Sequence, residues 1–214
     1  MLDWFRRLIL VNGCLLLLFS ANSWANHPQP ILVMGDSLSA GYGIDLNSGW
    51  VQLLQEKLES HKFSHAVINA SVSGETTTGG AARLDKLLKT HKPSIVILEL
   101  GGNDGLRGQP VNITRDNLSA MIDASLNANA QVLLLGMQIP PNYGARYTQM
   151  FSDIYPELAQ EYQVTLVPFM LDGVALNREL MRNDSIHPTE EAQPMILDNV
   201  WPYLEPLLGE DDAS

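Results

Sequence analysis

The sequence predicts an α/β fold in which a parallel β-sheet is covered by helices on both faces. Two observations predict it. Five short runs are continuously apolar instead of alternating, as in strands buried on both sides. Between them lie longer segments whose apolar residues recur at helical spacing. With 214 residues, the chain suffices for one such domain with a sizeable core.

The elements follow in order. Pro30-Ile31-Leu32-Val33-Met34 is the first strand, and Trp50, Val51, Leu53, Leu54 and Leu58 mark the helix after it. Ala66-Val67-Ile68 is the second, followed by a helix with Leu84, Leu87 and Leu88 on one face. The third strand, Ser94 to Leu100, precedes the helical set Leu118, Met121, Ile122 and Leu126. Gln131 to Leu135 is the fourth, and Phe151, Ile154, Tyr155 and Leu158 define the next helix. Val164 to Val167 is the fifth; a final helix carries Met195, Ile196, Leu197 and Val200.

The two ends read differently from the middle. Arg6 and Arg7 precede the apolar run Leu8 to Phe19, and Ser23 and Ala25 supply small residues for cleavage after Ala25. Residues 1–25 thus read as a secretory signal peptide, residues 26–208 as the domain, and residues 209–214 as a disordered acidic tail. The expected location is periplasmic or secreted, with no stable membrane anchor after cleavage. Cys14, the only cysteine, lies inside the leader, so the domain has neither a disulfide nor a thiol nucleophile. The formal net charge is −11, and losing two arginines and one aspartate with the leader deepens it by one. Such a surface repels phosphate backbones, which argues against nucleic acid as a partner. Nothing in the sequence points beyond a monomer.

Ligands of parallel sheets bind beyond the carboxyl ends of the strands. Small and polar residues gather there: Gly35-Asp36-Ser37, Asn69 to Glu75, Gly101-Gly102-Asn103-Asp104-Gly105, and Gly136 to Gly144. After the fifth strand comes Asp184-Ser185-Ile186-His187-Pro188. The first loop lacks the G-x-G-x-x-G spacing of a dinucleotide site and the Gly-Lys-Ser/Thr of a P-loop. Asp36, Asn103, Asp104, Asp184 and His187 could hold metals, but such sites usually recruit several imidazoles, and the other histidines are poorly placed. A metal site is therefore not expected.

A serine mechanism has all its parts. Imidazole can take a hydroxyl proton near neutral pH, and a carboxylate fixes its tautomer. Asp184 and His187, three residues apart, can face the same way in a tight turn held by Pro188. Ser37 is then the nucleophile. The N–H groups of Ser37 and Gly74 and the Asn103 amide are the oxyanion donors. Each residue taken singly also has a structural reading: Ser37 as a helix cap, Gly74 as a turn, Asn103 as an Asx-turn, His187 as a surface loop residue. Their order at successive strand ends favours catalysis.

The arrangement resembles the SGNH, or GDSL, hydrolase family through four blocks. These are "GDSLSAGYG" with Ser37, "NASVSGETT" with Gly74, "GGND" with Asn103 and "DSIHP" with Asp184 and His187. The resemblance runs from about Ile31 to Leu208, and "IPPNYGARY" and "IYPELAQEYQVTLVPF" look like its bacterial periplasmic branch of thioesterase I, protease I and lysophospholipase. One departure is Ser185, where that branch often has Gly; a Cβ is thereby placed at a turn expected to favour positive φ.

The resemblance implies a three-layer α/β/α sandwich with a central, mainly parallel five-stranded sheet, flavodoxin-like in plan. It implies a Ser-His-Asp triad, no cofactor, and hydrolysis of acyl esters and thioesters, including aryl esters, acyl-CoA and lysophospholipids. By position, Met137, Ile139, Pro140, Pro141 and Tyr143 would line the acyl site. The rival readings are a carbohydrate O-acetyl esterase on the same scaffold and a non-catalytic secreted lipid-binding protein.

Overall fold

The computed structural model describes residues 30–209; the expected leader and the tail beyond Gly209 lie outside the described residues. Its strands are β1 (Ile31–Gly35), β2 (Val67–Asn69), β3 (Ile95–Glu99), β4 (Gln131–Leu135) and β5 (Thr165–Val167). They form one sheet in the order β2-β1-β3-β4-β5, and every pairing is parallel. All five residues of β1 and of β3 are buried, which is why these strands read as apolar runs, with Glu99 as the exception at the end of β3.

Among the described residues, six α-helices cover the sheet: α1 (Trp50–Ser60), α2 (Thr77–His91), α3 (Gly102–Leu106), α4 (Val111–Asn127), α5 (Ala145–Tyr162) and α6 (Gln193–Leu204). α1 and α6 pack together, and α2, α4 and α5 pack in series. With right-handed crossovers this gives one helical layer on each face of the sheet. The expected stripes face inward: Trp50, Val51, Leu54 and Leu58 on α1, and Phe151, Ile154, Tyr155 and Leu158 on α5, are buried. Among the described residues, no helix is long and apolar enough to cross a membrane.

The chain runs outward from β1 to β2, then returns past β1 to β3. The strand order therefore reverses between β1 and β3, opening a crevice at their carboxyl ends. Gly102–Leu106 closes a short helix directly after β3. Gly101, at φ 115, makes the sharp turn that this requires. The long connection between β5 and α6 lacks regular elements and is pinned by an antiparallel bridge between Met181 and Pro188.

Candidate active site

Ser37 sits in the turn that follows β1. Ala40 N donates to Asp36 O at 2.9 Å and Tyr42 N to Ser37 O at 3.1 Å, so the chain coils as soon as the strand ends. Asp36 holds this turn: its Oδ1 accepts from Leu38 N at 3.0 Å. The Ser37 hydroxyl faces His187, with Oγ 2.9 Å from Nε2.

His187 arrives from a tight loop 150 residues away in sequence. Arg182 N donates to His187 O at 2.8 Å and Ser185 N to Arg182 O at 2.9 Å, closing the loop on itself. Ser185 takes φ 57, the positive value expected for that turn. Asp184 faces His187 as its spacing suggested. Its Oδ2 lies 2.8 Å from Nδ1, and its Oδ1 accepts from Ile186 N and His187 N, each at 3.0 Å. Partial burial pushes the Asp184 carboxyl up, but these two amides and the imidazole outweigh it and hold the group well below the ordinary carboxylate range. A carboxylate bonded to Nδ1 fixes that nitrogen as the donor and leaves Nε2 to face Ser37 as an acceptor.

Gly74 and Asn103, the further donors expected around an oxyanion, are each held by a hydrogen bond. Gly74 has φ 79, a value that favours glycine, and its carbonyl is anchored by Arg107 Nη2 at 3.0 Å. Among the described residues, no protein acceptor takes the N–H of Ser37 or of Gly74. Asn103 is the second residue of α3, and its Nδ2 donates to Asp36 Oδ2 at 2.9 Å. That bond uses one of the two amide hydrogens and leaves the other for a ligand. Asp104 accepts from Thr77 N and Thr77 Oγ1 and from Gln109 Nε2, so the start of α2 is tied to α3. The two expected oxyanion loops are thus joined through buried hydrogen bonds.

The acyl-site candidates divide. Met137 and Ile139 are buried in the core, and a Cβ at Gly105 would lie 2.5 Å from Ile139 Cγ2. Pro140, Pro141 and Tyr143 are exposed, and Tyr143 Oη donates to Leu106 O at 2.8 Å. Asp36 and Asp104, which a metal site would need, are committed to the donors just named. Among the described residues, no group of three or more His, Cys, Asp and Glu is placed to hold a metal ion.

Three neighbours of the site escaped the sequence reading. The Tyr42 ring lies 4.7 Å from the His187 ring, and Arg182 Nη1 donates to Tyr42 O at 3.0 Å. Glu99 lies fully buried at the end of β3. Its signal was available: an acidic residue closing an otherwise apolar strand is misplaced unless it has a task.

The chain matches the GDSL-like Lipase/Acylhydrolase family over residues 33–193. It is 48% identical to Esterase TesA of Pseudomonas aeruginosa over 202 residues, 94% of this chain and 100% of that one. It is 45% identical over 181 residues to Thioesterase 1/protease 1/lysophospholipase L1 of Escherichia coli, 85% of this chain and 86% of that one. Among solved structures, the psychrotrophic esterase EstA of Pseudoalteromonas sp., inhibited by monoethylphosphonate, is similar at a TM-score of 0.81. That likeness carries 42% identity and covers 85% of this chain and 100% of that one. A family match across most of the chain, and relatives aligned nearly end to end, establish that this protein belongs to the GDSL-like lipase and acylhydrolase family.

Proposed function

We propose that the protein is a periplasmic or secreted serine hydrolase that cleaves acyl esters and thioesters, with aryl esters, acyl-CoA and lysophospholipids as substrates. The observation that carries this reading is the unbroken path from Ser37 Oγ through the His187 ring to Asp184, at 2.9 and 2.8 Å. The names of its relatives, esterase and thioesterase/lysophospholipase, support the substrate class. Location rests on the leader read in the sequence.

In this mechanism His187 Nε2 takes the Ser37 proton as Oγ attacks the acyl carbonyl carbon. Asp184 stabilises the imidazolium. The Ser37 and Gly74 N–H groups and the Asn103 amide hold the developing oxyanion. Collapse expels the alcohol or thiol, which leaves with the proton from His187, and Ser37 keeps the acyl group. His187 then activates water, whose attack releases the carboxylic acid and restores Ser37. Pro140, Pro141 and Tyr143, the exposed members of the loop after β4, are the candidates for contact with the acyl chain.

The test is hydrolysis of aryl esters and acyl-CoA thioesters from acetyl to palmitoyl by the wild type and by Ser37→Ala, with and without chelator. Chelator-resistant turnover that the substitution abolishes supports the serine mechanism. A profile confined to acetyl points instead to a carbohydrate O-acetyl esterase. No turnover from the folded wild type points to a lipid-binding protein.

A further inference from the structure

Beneath the nucleophile lies a pair of acidic side chains that the triad chemistry does not use. Asp36 and Glu99 are buried at 2% and 0% exposure. The parallel register sets Gly35 opposite Glu99. A Cβ at Gly35 would fall 2.5 Å from Glu99 Oε2, so this glycine leaves the space that the carboxyl fills. Oε2 accepts from Ser39 Oγ at 2.7 Å and Asp36 N at 3.1 Å, while among the described residues no hydrogen-bond partner reaches the buried Oε1. The Asp36 backbone thus hangs on the Glu99 carboxyl, which makes the two buried acids close neighbours.

Two neighbouring carboxylates away from water cannot both be ionised without a large penalty. One shared proton replaces that repulsion with a short O–H···O⁻ bond. Glu99 is the better holder of the proton. It is the deeper of the two, and Asp36 already accepts from Leu38 N and Asn103 Nδ2. Burial pushes both carboxyls up, Asp36 to about 6 and Glu99 well above its ordinary range.

The location of that proton decides which way Asn103 faces. An ionised Asp36 can only accept, so it draws Nδ2 toward itself and leaves the second Nδ2 hydrogen for the site. A protonated Asp36 would donate to Asn103 Oδ1 instead. The amide would then turn over and present an oxygen to an oxyanion.

We propose that Glu99 is a positioning residue: as a neutral acid it donates to Asp36, and the pair keeps the Asn103 amide oriented as an oxyanion donor. This rests on the oxyanion reading of Asn103 given above.

The experiment is a set of steady-state measurements on one aryl ester with wild type, Glu99→Gln, Glu99→Leu, Asn103→Ala and the Glu99→Leu/Asn103→Ala double variant, each checked by thermal unfolding. Gln donates to Asp36 permanently and should keep kcat within about threefold, whereas Leu should lower kcat by about tenfold or more with KM within about twofold. In the Asn103→Ala background, Glu99→Leu should have no further effect on kcat. A wild-type kcat in Glu99→Leu overturns the proposal. So does a Gln variant as impaired as Leu, or a Leu effect undiminished without Asn103, and both leave the oxyanion reading standing. A wild-type kcat in Asn103→Ala removes that reading itself, and the proposal with it. If Glu99→Leu does not fold, Glu99→Asp, which withdraws the carboxyl by one methylene, takes its place in the same cycle.

Discussion

The Arg182 guanidinium rests directly against Gly43: a Cβ there would lie 1.5 Å from Nη1. This contact joins the nucleophile loop to the loop that carries the base. Arg182 Nη1 holds Tyr42 O, the Tyr42 ring lies against His187, and the Arg182 amide donates to His187 O at 2.8 Å.

Gly43→Ala should therefore expel the guanidinium and loosen the seat of His187. It also places an L-residue at φ +73, which costs about 1–2 kcal/mol. Both kcat and the unfolding temperature should fall. In Arg182→Ala the guanidinium is already gone, so Gly43→Ala should add only the backbone strain. Thermal unfolding and kcat of both single variants and the double variant check this. Equal increments in the two backgrounds would mean that the contact couples nothing.

Ser185 predicts the opposite kind of change. It holds φ 57 between Asp184 and His187 without a glycine's freedom. Ser185→Gly should relieve about 1–2 kcal/mol of left-handed strain, against about 0.5–1 kcal/mol of extra unfolded-state freedom. The net expectation is a gain of roughly 0.5–1 kcal/mol, with kcat unchanged because no Ser185 side-chain bond supports the triad. A lower urea midpoint for the variant would contradict it.

This position also shows how far the sequence could be read. The sheet was legible because β1 and β3, buried on both faces, are apolar but for the closing Glu99, and the candidate triad because Ser37 follows β1 closely while Asp184 and His187 stand three apart beside Pro188. Ser185 was identified by its place in a turn. What stayed hidden depends on tertiary neighbours. Nothing local says that Glu99 will face Gly35, because that follows from a register between strands some sixty residues apart. The short helix that begins at Gly102 draws on Thr77 gripping Asp104 from α2. Met137 and Ile139 look like pocket residues by type and position, yet they fill the core beneath the loop.

Asp36 gives a pH dependence with a definite sign. Its carboxyl rises from 3.8 to about 6, chiefly through burial. A folded-state value above the unfolded one means that the native state binds more protons between them. Stability should therefore fall as pH rises from 3.8 through about 6, with the full penalty above that window and none below it. Asp36→Asn cannot titrate, so its stability relative to wild type should climb across the window and then level off in this contribution. Its kcat should nevertheless fall, because the amide nitrogen must oppose either Leu38 N–H or Asn103 Nδ2–H. Urea unfolding of both proteins from pH 4 to pH 7 reads the first effect, and kcat at pH 7 reads the second. A stability difference that stays flat across the window would show that Asp36 is not the group responsible.

Thr77 carries the last expectation, because it links the two loops that flank the candidate oxyanion site. Its N–H and hydroxyl both donate to the buried Asp104, and its Oγ1 accepts from Asn117 Nδ2 at 3.1 Å. Thr77→Val keeps the shape and removes the hydroxyl. A hydrogen bond to a charged group contributes about 1.5–3 kcal/mol, so the urea-derived stability should drop by about that amount. Asp104 keeps Thr77 N and Gln109, so the fold should survive the loss. Activity should fall as well, since α2 begins three residues after Gly74 and α3 carries Asn103 next to Asp104. Thr77→Ser, which restores the hydroxyl without the methyl, should recover most of kcat even where packing leaves it less stable than wild type. If Ser and Val lose kcat equally, the missing hydroxyl is not what disturbs the site, and the link between the two loops runs through packing at Thr77 instead.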